Sequence, residues 1–324
     1  MTHHSELTQA RKDSALRTAL HTIVPYLDDD KIIEIMVNPD GKVWVEILGN
    51  GMEFTGVILP FEETENIIRL LASTMGSVIT EQNPSVSAKL PGWGARVQAM
   101  IPPVVAGPSF CFRKPAKYVF PLDRYIEQKV LTREQANFLR WAVAEKKNIL
   151  VGGGTGSGKT TFVNALLQEI AATKDRVYIV EDNPELQCDA ENKVEVLVNT
   201  KHYNHSSAIV DSLRYRPDRI IVGEVRDGSA LDLLKSWNTG HPGGIATIHA
   251  NNTHSMLDRL CQLCEEVVLT APRYLIAEAI NVVIHIQRDS GHAAGRSISG
   301  IELVTGVNSS GEWIFQKPDF SQYR

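Results

Sequence analysis

Residues 148–167, NILVGGGTGSGKTTFVNALL, constrain the fold more than any other stretch of this chain. The segment from Asn148 to Val151 is typical of a short buried strand, and a glycine-rich turn follows it. Apolar residues then recur at helical spacing at Phe162, Val163, Leu166, Leu167 and Ile170. Gly153, Gly158, Lys159 and Thr160 match the pattern G-x-x-x-x-G-K-[ST] between that strand and that helix. This context indicates a phosphate-binding loop within a parallel α/β domain.

Each residue type in this loop has a chemical reason to be there. The glycines let backbone amides turn inward and approach phosphate oxygens closely. The start of the following helix adds free N–H donors. Lys159 supplies a positive charge between the outer phosphates, and the Thr160 hydroxyl suits a Mg²⁺ ligand. The loop therefore predicts a site for the phosphates of a nucleotide together with Mg²⁺.

A second apolar strand ends in carboxylates. Residues 177–187 read VYIVEDNPELQ, in which Glu181 and Asp182 follow four apolar residues. Ligands of open α/β sheets lie at the carboxyl ends of the strands. We therefore predict that Glu181 orients water or Mg²⁺-bound water, with a solvated acidic turn before Pro184 as the alternative.

Residues 219–228, RIIVGEVRDG, have the same strand-then-carboxylate form. The usual nucleotide-hydrolase pattern has Asp where Gly223 stands. Glu224 lies one residue further on and could polarise the attacking water as a general base. Because Mg²⁺ keeps several waters and needs few protein ligands, the missing carboxylate does not exclude metal binding.

Residues 239–252, TGHPGGIATIHANN, bring a histidine to the same predicted sheet edge. A short strand from Ile245 to Ile248 places His249 at its carboxyl end. We predict that His249 hydrogen-bonds the outermost phosphate. The alternative is a structural histidine with its hydrogen bonds satisfied.

The first half of the chain predicts a different class of domain. Short strand-like pieces surround one helical segment, 61–76, and indicate an α+β domain over residues 1–114 with a mostly antiparallel sheet. Residues 115–131 carry Pro115 and Pro121 and predict a linker, in which Tyr125 is a candidate adenine contact. A capping box formed by Thr132 and Gln135 then opens an α/β domain over residues 132–324.

The N-terminal segment predicts one amphipathic helix through Leu16, Leu20, Ile23, Val24 and Leu27. Its basic residues Arg11, Lys12 and Arg17 allow a membrane-surface role, but we favour docking on its own domain because acidic residues interrupt the basic face. No signal-peptide pattern opens the sequence, and no stretch reaches the ~18 apolar residues of a membrane span. Any membrane association is therefore expected to be peripheral.

Amino-acid composition bears on which molecules the protein can bind and on the compartment in which it works. Lys plus Arg is 33 and Asp plus Glu is 38, which gives a net charge of −5. This balance argues against direct nucleic-acid binding over a broad basic surface. Four scattered cysteines do not form a disulfide framework and fit a reducing, cytoplasmic compartment. Cys261 and Cys264 are expected to be semi-buried and one helical turn apart, not a zinc site.

Four segments in this order resemble the secretion traffic ATPases, the hexameric motors of type II and type IV secretion and of type IV pili. GGTGSGKTT is similar to their Walker A segment, VEDNPELQ to their acidic box, LRYRPDRIIVGEVRDG to their Walker B segment and TGHPGGIATIHANN to their histidine box. The likeness extends over most of the chain and is strongest to the conjugative-transfer members. In this family Gly-Glu is the usual Walker B form, which implies ATP hydrolysis with Glu224 as the catalytic carboxylate.

The resemblance also implies a fold and a set of site residues. It implies a RecA-like P-loop domain preceded by a smaller, PAS-like α+β domain, with ATP and Mg²⁺ between them. GARVQAMIPP and FCFRKP resemble segments whose arginines reach the nucleotide from the N-terminal domain. The expected catalytic residues are Lys159, Glu181, Glu224, His249, Arg96 and Arg113. The expected nucleotide contacts are Gly153, Gly154, Thr155, Gly156, Ser157, Gly158, Lys159, Thr160 and Thr161, with Thr160 as the Mg²⁺ ligand.

The implied assembly is a homohexameric ring on the cytoplasmic face of the inner membrane, bound to the inner-membrane components of a type IV secretion or conjugation apparatus. Its output would be pilus assembly or substrate transfer, which the sequence does not separate; pilus retraction is a third variant. A nucleotide-dependent scaffold without useful turnover is the rival of another class. Glu224 argues against that rival, because a protein that only binds ATP needs no general base.

Overall fold

The computed structural model of the protein describes residues 2–48, 50–115, 119–198 and 202–323, without the side chains of residues 2–7 and 9. The chain divides into two compact units, Met1–Lys117 and Tyr118–Arg324. The first is built on an antiparallel sheet and the second on a mainly parallel one. In the described parts of the chain, no helix combines the length and hydropathy needed to cross a bilayer.

The first unit is a six-stranded sheet with helices packed on it, in the strand order β3-β2-β1-β6-β5-β4. Every neighbouring pair is antiparallel, as the sequence predicts. Its elements are α1 (Thr2–Ala19), α2 (Val24–Asp28), β1 (Ile32–Val37), β2 (Lys42–Ile47), β3 (Gly51–Ile58), α3 (Phe61–Thr74), β4 (Ser85–Lys89), β5 (Arg96–Met100) and β6 (Ser109–Arg113).

The N-terminal helix is interrupted where one continuous helix was predicted. Helix α1 ends at Ala19, and α2 starts again at Val24. Pro25 stands at the start of α2, where its missing N–H is harmless, whereas inside a continuous helix it would clash with the carbonyl of the preceding turn. Leu16 and Leu20 are buried in the core of this unit, and Lys12 donates to the Ser73 carbonyl at 2.8 Å. The described part of this segment thus docks on its own domain.

The second unit has an eight-stranded sheet in the order β14-β13-β12-β7-β11-β10-β8-β9. Six neighbouring strands of this order, β12, β7, β11, β10, β8 and β9, are parallel to one another. Strands β13 and β14 form an antiparallel hairpin beside β12. The elements are α4 (Leu122–Glu127), α5 (Arg133–Ala144), β7 (Ile149–Gly152), α6 (Lys159–Ala171), β8 (Val177–Glu181), β9 (Lys193–Leu197), α7 (His205–Ser212), β10 (Arg219–Val222), α8 (Ala230–Asn238), β11 (Ile245–Ile248), α9 (Thr253–Glu265), α10 (Arg273–Ala279), β12 (Val282–Arg288), β13 (Arg296–Val307) and β14 (Trp313–Gln316). A 3₁₀ turn, Phe320–Gln322, follows.

The central strands are apolar throughout because both faces of this sheet are covered. In β7, Ile149 and Val151 pack into one core cluster with α5 and α6, while Leu150 packs into a second cluster with α8 and α9. Burial on both faces is typical of parallel sheets, whose crossover helices lie on each side. Burial therefore gives the short strands of the sequence their unbroken apolar runs.

Several local predictions are confirmed and one differs. Thr132 and Gln135 form the expected capping box, and Cys261 and Cys264 lie one helical turn apart on α9, where both are buried. In contrast, the segment predicted as a linker contains α4, whose Leu122 is fully buried in the second unit's core. The sequence signal was weak because a helix of 6 residues spans fewer than two turns, too few for an apolar spacing to repeat.

Arg219 is the largest fully buried polar side chain of the described residues, at 1% exposure. Its guanidinium donates to Asp175 at 2.7 Å, to the Val143 carbonyl at 2.8 Å and to the Gly243 carbonyl at 3.2 Å. These bonds tie the start of β10 to the end of α5 and to the turn before β11. Arg219 therefore holds together the sheet edge opposite the phosphate loop.

We predict that Arg219→Met lowers the free energy of unfolding by about 3 kcal/mol, because it leaves Asp175 and two carbonyl groups without their buried donor. Arg214→Ala is the control, since Arg214 is exposed and a surface change of this kind costs about 0.5 kcal/mol or less. Urea denaturation of the three proteins measures both values. Equal losses in the two variants would show that the buried guanidinium is not a structural clamp.

Candidate active site

The predicted phosphate loop lies between β7 and α6 at the carboxyl end of the parallel sheet. Gly153, Gly156 and Gly158 have φ values of +157°, +67° and +97°. A side chain at Gly153 would also collide with the carbonyl of Ile286, so this position has no room for one. The glycines of the motif are thus required by the backbone, and the loop can turn its amides inward.

Lys159, the first residue of α6, folds back over its own loop. Its Nζ donates to the carbonyls of Gly153 at 2.8 Å and Gly154 at 2.9 Å, and the side chain is only 8% exposed. Ser157 is 2% exposed, and its Oγ has no hydrogen-bond partner in the described structure. A buried ammonium and an unpartnered hydroxyl beside inward-turning amides fit a phosphate group, which can accept from all of them.

Glu224 and His249 meet Lys159 at this edge, as their positions after parallel strands predicted. Glu224 follows β10, and His249 follows β11, which lies between β10 and β7. His249 Nε2 is 3.0 Å from Glu224 Oε1, and His249 Nδ1 is 3.5 Å from Lys159 Nζ. Three residues from distant segments thus form one continuous chain of polar contacts, which we call the Lys159–His249–Glu224 chain.

The electrostatics of this chain keep His249 neutral near pH 7. Burial lowers the pKa of His249 below its ordinary value, and the positive charge of Lys159 lowers it further, while Glu224 acts in the opposite direction. A neutral imidazole between an ammonium and a carboxylate can accept a hydrogen bond on one nitrogen and donate one on the other. His249 therefore couples the phosphate loop to Glu224.

The two neighbours should move the pKa of His249 in opposite directions. We predict that Lys159→Met raises it, because a positive charge is removed, and that Glu224→Gln lowers it further, because a negative charge is removed. NMR titration of the imidazole measures both shifts, with His249→Gln used to assign the signal among the ten histidines. Shifts of the same sign in both variants would contradict the contact geometry.

Glu181, the last residue of β8, is buried at 6% exposure, so the alternative of a solvated acidic turn is wrong for this residue. Its Oε1 accepts the backbone amides of Glu185 at 3.0 Å and Leu186 at 2.8 Å. The carboxylate therefore anchors the loop that follows β8. Its predicted role toward water or Mg²⁺ stays a prediction.

Glu181 lies directly against Gly223. Strands β8 and β10 are parallel neighbours with Val180 opposite Val222, which brings Glu181 beside Gly223. A Cβ at residue 223 would lie 3.1 Å from Glu181 Cγ and 3.5 Å from its Oε1. An aspartate there would place a second carboxylate against the first, so the edge holds one acidic side chain at this point.

We predict that Gly223→Asp is less stable than the isosteric Gly223→Asn by at least about 1 kcal/mol at pH 7, since ionised carboxylates repel at this separation. The crowding is the same in both variants, so their difference isolates the charge. The difference should shrink as pH falls toward 4 and the carboxylates take up protons. Thermal unfolding across that pH range measures it; a difference independent of pH would rule out carboxylate repulsion.

Two polar residues missed by the sequence reasoning contact Asp182. His205, buried at the start of α7, has its Nε2 2.9 Å from Asp182 Oδ1, and Arg226 pairs with the same carboxylate. Burial lowers the pKa of His205. His205 reaches Asp182 because α7 packs against β8, whereas Arg226 reaches it from the loop that follows β10, the parallel neighbour of β8.

The two predicted arginines of the first unit lie side by side. Arg96 opens β5 and Arg113 ends β6, and the two are directly paired across the antiparallel strands. Arg113 Nε is 3.5 Å from Glu34 Oε1. Their role toward a nucleotide stays a prediction. Tyr125, considered as an adenine contact, is instead 3% exposed and packs edge-on against Phe162 at 5.2 Å, so its ring is not available to a base.

Fold and site together define a P-loop α/β protein with a polar edge beside the phosphate loop, and comparisons with known proteins give the family. The family model described as type II/IV secretion system protein matches residues 16–308. The conjugal transfer protein TrbB of Rhizobium radiobacter is 44% identical over 285 residues, which cover 85% of each chain. The type IV secretion system protein PtlH of Bordetella pertussis is 33% identical, over 92% of this chain and 97% of that protein. The chain belongs to the type II/IV secretion system protein family.

Solved structures share the fold. The pilus retraction motor PilT with bound ADP superposes with a TM-score of 0.62 at 19% identity, over 89% of this chain and 83% of that one. The Legionella pneumophila ATPase DotB gives a TM-score of 0.60 at 18% identity, over 88% and 80% of the two chains. At these identities the likeness concerns the fold alone.

Proposed function

We propose that this protein is a Mg²⁺-dependent ATPase that works as a homohexameric motor of a conjugative type IV secretion apparatus. The observation that carries the proposal is the Lys159–His249–Glu224 chain, which joins the phosphate loop to a carboxylate at one sheet edge. Membership of the secretion family and the 44% identity to a conjugal transfer protein support the assignment to conjugation.

The residues have distinct roles in hydrolysis. The loop amides from Gly153 to Gly158 bind the phosphates, and Lys159 leaves its two loop carbonyls to contact the outer phosphates. Glu224 accepts the proton of the attacking water as general base. His249, between them, hydrogen-bonds the γ-phosphate and reports its presence to Glu224.

Mg²⁺, when bound, would offset the charge of the phosphate oxygens, with the Thr160 hydroxyl as its protein ligand. Thr160 lies in the first turn of α6, directly after Lys159. Thr155, Ser157 and Thr161 complete the nucleotide contacts. Glu181 holds the following loop through the amides of Glu185 and Leu186, and we assign it a supporting role in orienting water near Gly223.

The domain assignments belong to the same proposal. The second unit is RecA-like, with β12, β7, β11, β10, β8 and β9 as its parallel core, and the first unit is PAS-like. The adjacent pair Arg96 and Arg113 contacts the nucleotide from the first unit. Arginines that stabilise transition-state charge in this way can be worth several orders of magnitude in rate.

The motor is proposed to bind peripherally to the cytoplasmic face of the inner membrane through the inner-membrane components of the apparatus. Hydrolysis would open and close the two domains as rigid bodies. The output is pilus assembly or substrate transfer between cells. Direct nucleic-acid binding is not part of the proposal, because the net charge of −5 does not favour it.

Steady-state turnover tests this proposal. We predict that Glu224→Gln keeps ATP affinity but lowers kcat by about 10²- to 10⁴-fold, because the general base is lost. Lys159→Ala should lose ATP binding, because the charge between the outer phosphates is lost. Exposed residues provide matched controls, Glu266→Gln and Lys174→Ala, which should leave both quantities unchanged.

The oligomeric state is measured by light scattering in the same samples, with and without nucleotide. A hexamer that turns over ATP supports the motor. Mg·ATP binding without turnover beyond that of Glu224→Gln, even with membranes and partners added, would replace the motor by a nucleotide-dependent scaffold.

A further inference from the structure

Strands β12 and β13 bring two arginines to the phosphate loop from the side away from Glu224. Strand β12 runs parallel to β7 with His285 opposite Gly152, so its last residue, Arg288, projects beyond the end of β7. Strand β13 returns antiparallel and starts at Arg296, which pairs directly with Arg288. Two positive charges therefore stand together at the edge where the loop lies.

Both guanidinium groups touch glycines of the loop. Arg288 Nε donates to the Gly156 carbonyl at 3.1 Å, and a Cβ at Gly156 would collide with the same guanidinium. A Cβ at Gly158 would collide with Arg296 Nη1. The glycines at these positions thus serve the arginines as well as the backbone turn, because any side chain would push the guanidinium groups away.

The surroundings of Arg296 leave its charge uncompensated. Arg296 is only partly exposed, and the described residues give it no carboxylate partner. The Tyr125 hydroxyl lies close to this positive charge. Burial raises the pKa of the hydroxyl, and the charge of Arg296 acts in the opposite direction. The same hydroxyl is buried without a hydrogen-bond partner in the described structure. A partly exposed, unpaired guanidinium beside a phosphate loop is suited to a ligand.

The order of strands in the sheet determines which end of a bound nucleotide would lie next to Arg288 and Arg296. The Lys159–His249–Glu224 chain extends from β7 toward β11 and β10, whereas Arg288 and Arg296 lie on β12 and β13, on the other side of β7. A nucleoside triphosphate with its outermost phosphate toward Glu224 must therefore extend its nucleoside toward β12 and β13.

We propose that Arg296 forms the nucleoside-side wall of the site, with its planar guanidinium stacked on the purine base, while Arg288 positions the loop through Gly156. This inference rests on the proposed ATPase function. Stacking on an aromatic ring suits a guanidinium better than an ammonium, because the guanidinium is planar and weakly hydrated. In this arrangement Arg296 contacts the base, and the phosphate loop binds the phosphates.

Binding to the full-length protein tests the proposal with two probes, ATP and inorganic tripolyphosphate, which has no base. Arg296→Ala should weaken ATP binding about tenfold and leave tripolyphosphate binding unchanged, since only the stacking contact is lost. Arg296→Lys should behave like Arg296→Ala, because it keeps the charge but not the plane. Arg214→Ala is the matched control, and thermal unfolding checks that each variant is folded.

The outcomes are distinct. Equal loss of ATP and tripolyphosphate, or full rescue by Arg296→Lys, would make Arg296 a phosphate contact and overturn the stacking proposal. Unchanged ATP affinity in both variants would also overturn it. If the wild type binds neither probe, the proposed function itself fails and this inference falls with it. If the wild type binds both and Lys159→Ala binds neither, the loop is validated independently of Arg296.

Discussion

Parallel pairing of β7 with β11 on one side and β12 on the other is the constraint on which the rest of the second unit depends. Parallel strands end at the same edge, so each residue that follows a strand is delivered to the edge of the phosphate loop. Backbone hydrogen bonds and burial of both faces hold the three strands rigidly. Side chains as far apart in sequence as Lys159, Glu224 and His249 can therefore form one chain of contacts.

The packing of Glu181 against Gly223 limits the negative charge at the ends of β8 and β10. Glu181 and Gly223 occupy neighbouring strand ends, and a side chain at residue 223 would be crowded against the Glu181 carboxylate. Glu181 is stabilised there by two backbone amides, so its charge is not left unpaired on burial. Glu224, one residue beyond Gly223, turns instead toward His249. The departure from the usual nucleotide-hydrolase pattern is thus a matter of packing between β8 and β10.

The site is also asymmetric about β7. Polar groups suited to hydrolysis lie toward β11 and β10, and the arginine pair lies toward β12 and β13. An elongated, negatively charged ligand fits such an arrangement better than a compact one, because its two ends meet different chemistry. The antiparallel hairpin of β13 and β14 extends the sheet and also supplies Arg296, the first residue of β13, to the phosphate loop.

The sequence by itself determined the features that local chemistry controls. A glycine-rich turn between an apolar strand and an apolar helix face can hardly form anything other than the phosphate loop, and the capping box at Thr132 needs only four residues. Apolar runs before Glu224 and His249 predicted that these two side chains lie at the edge of the phosphate loop, since parallel strands share their carboxyl ends. Tertiary structure decided what depends on distant contacts. It decided the burial of Leu122 in a segment that resembled a linker and the arrival of Arg288 and Arg296 at the loop. These features arise where residues far apart in sequence pack together, and a local sequence pattern does not predict such long-range contacts.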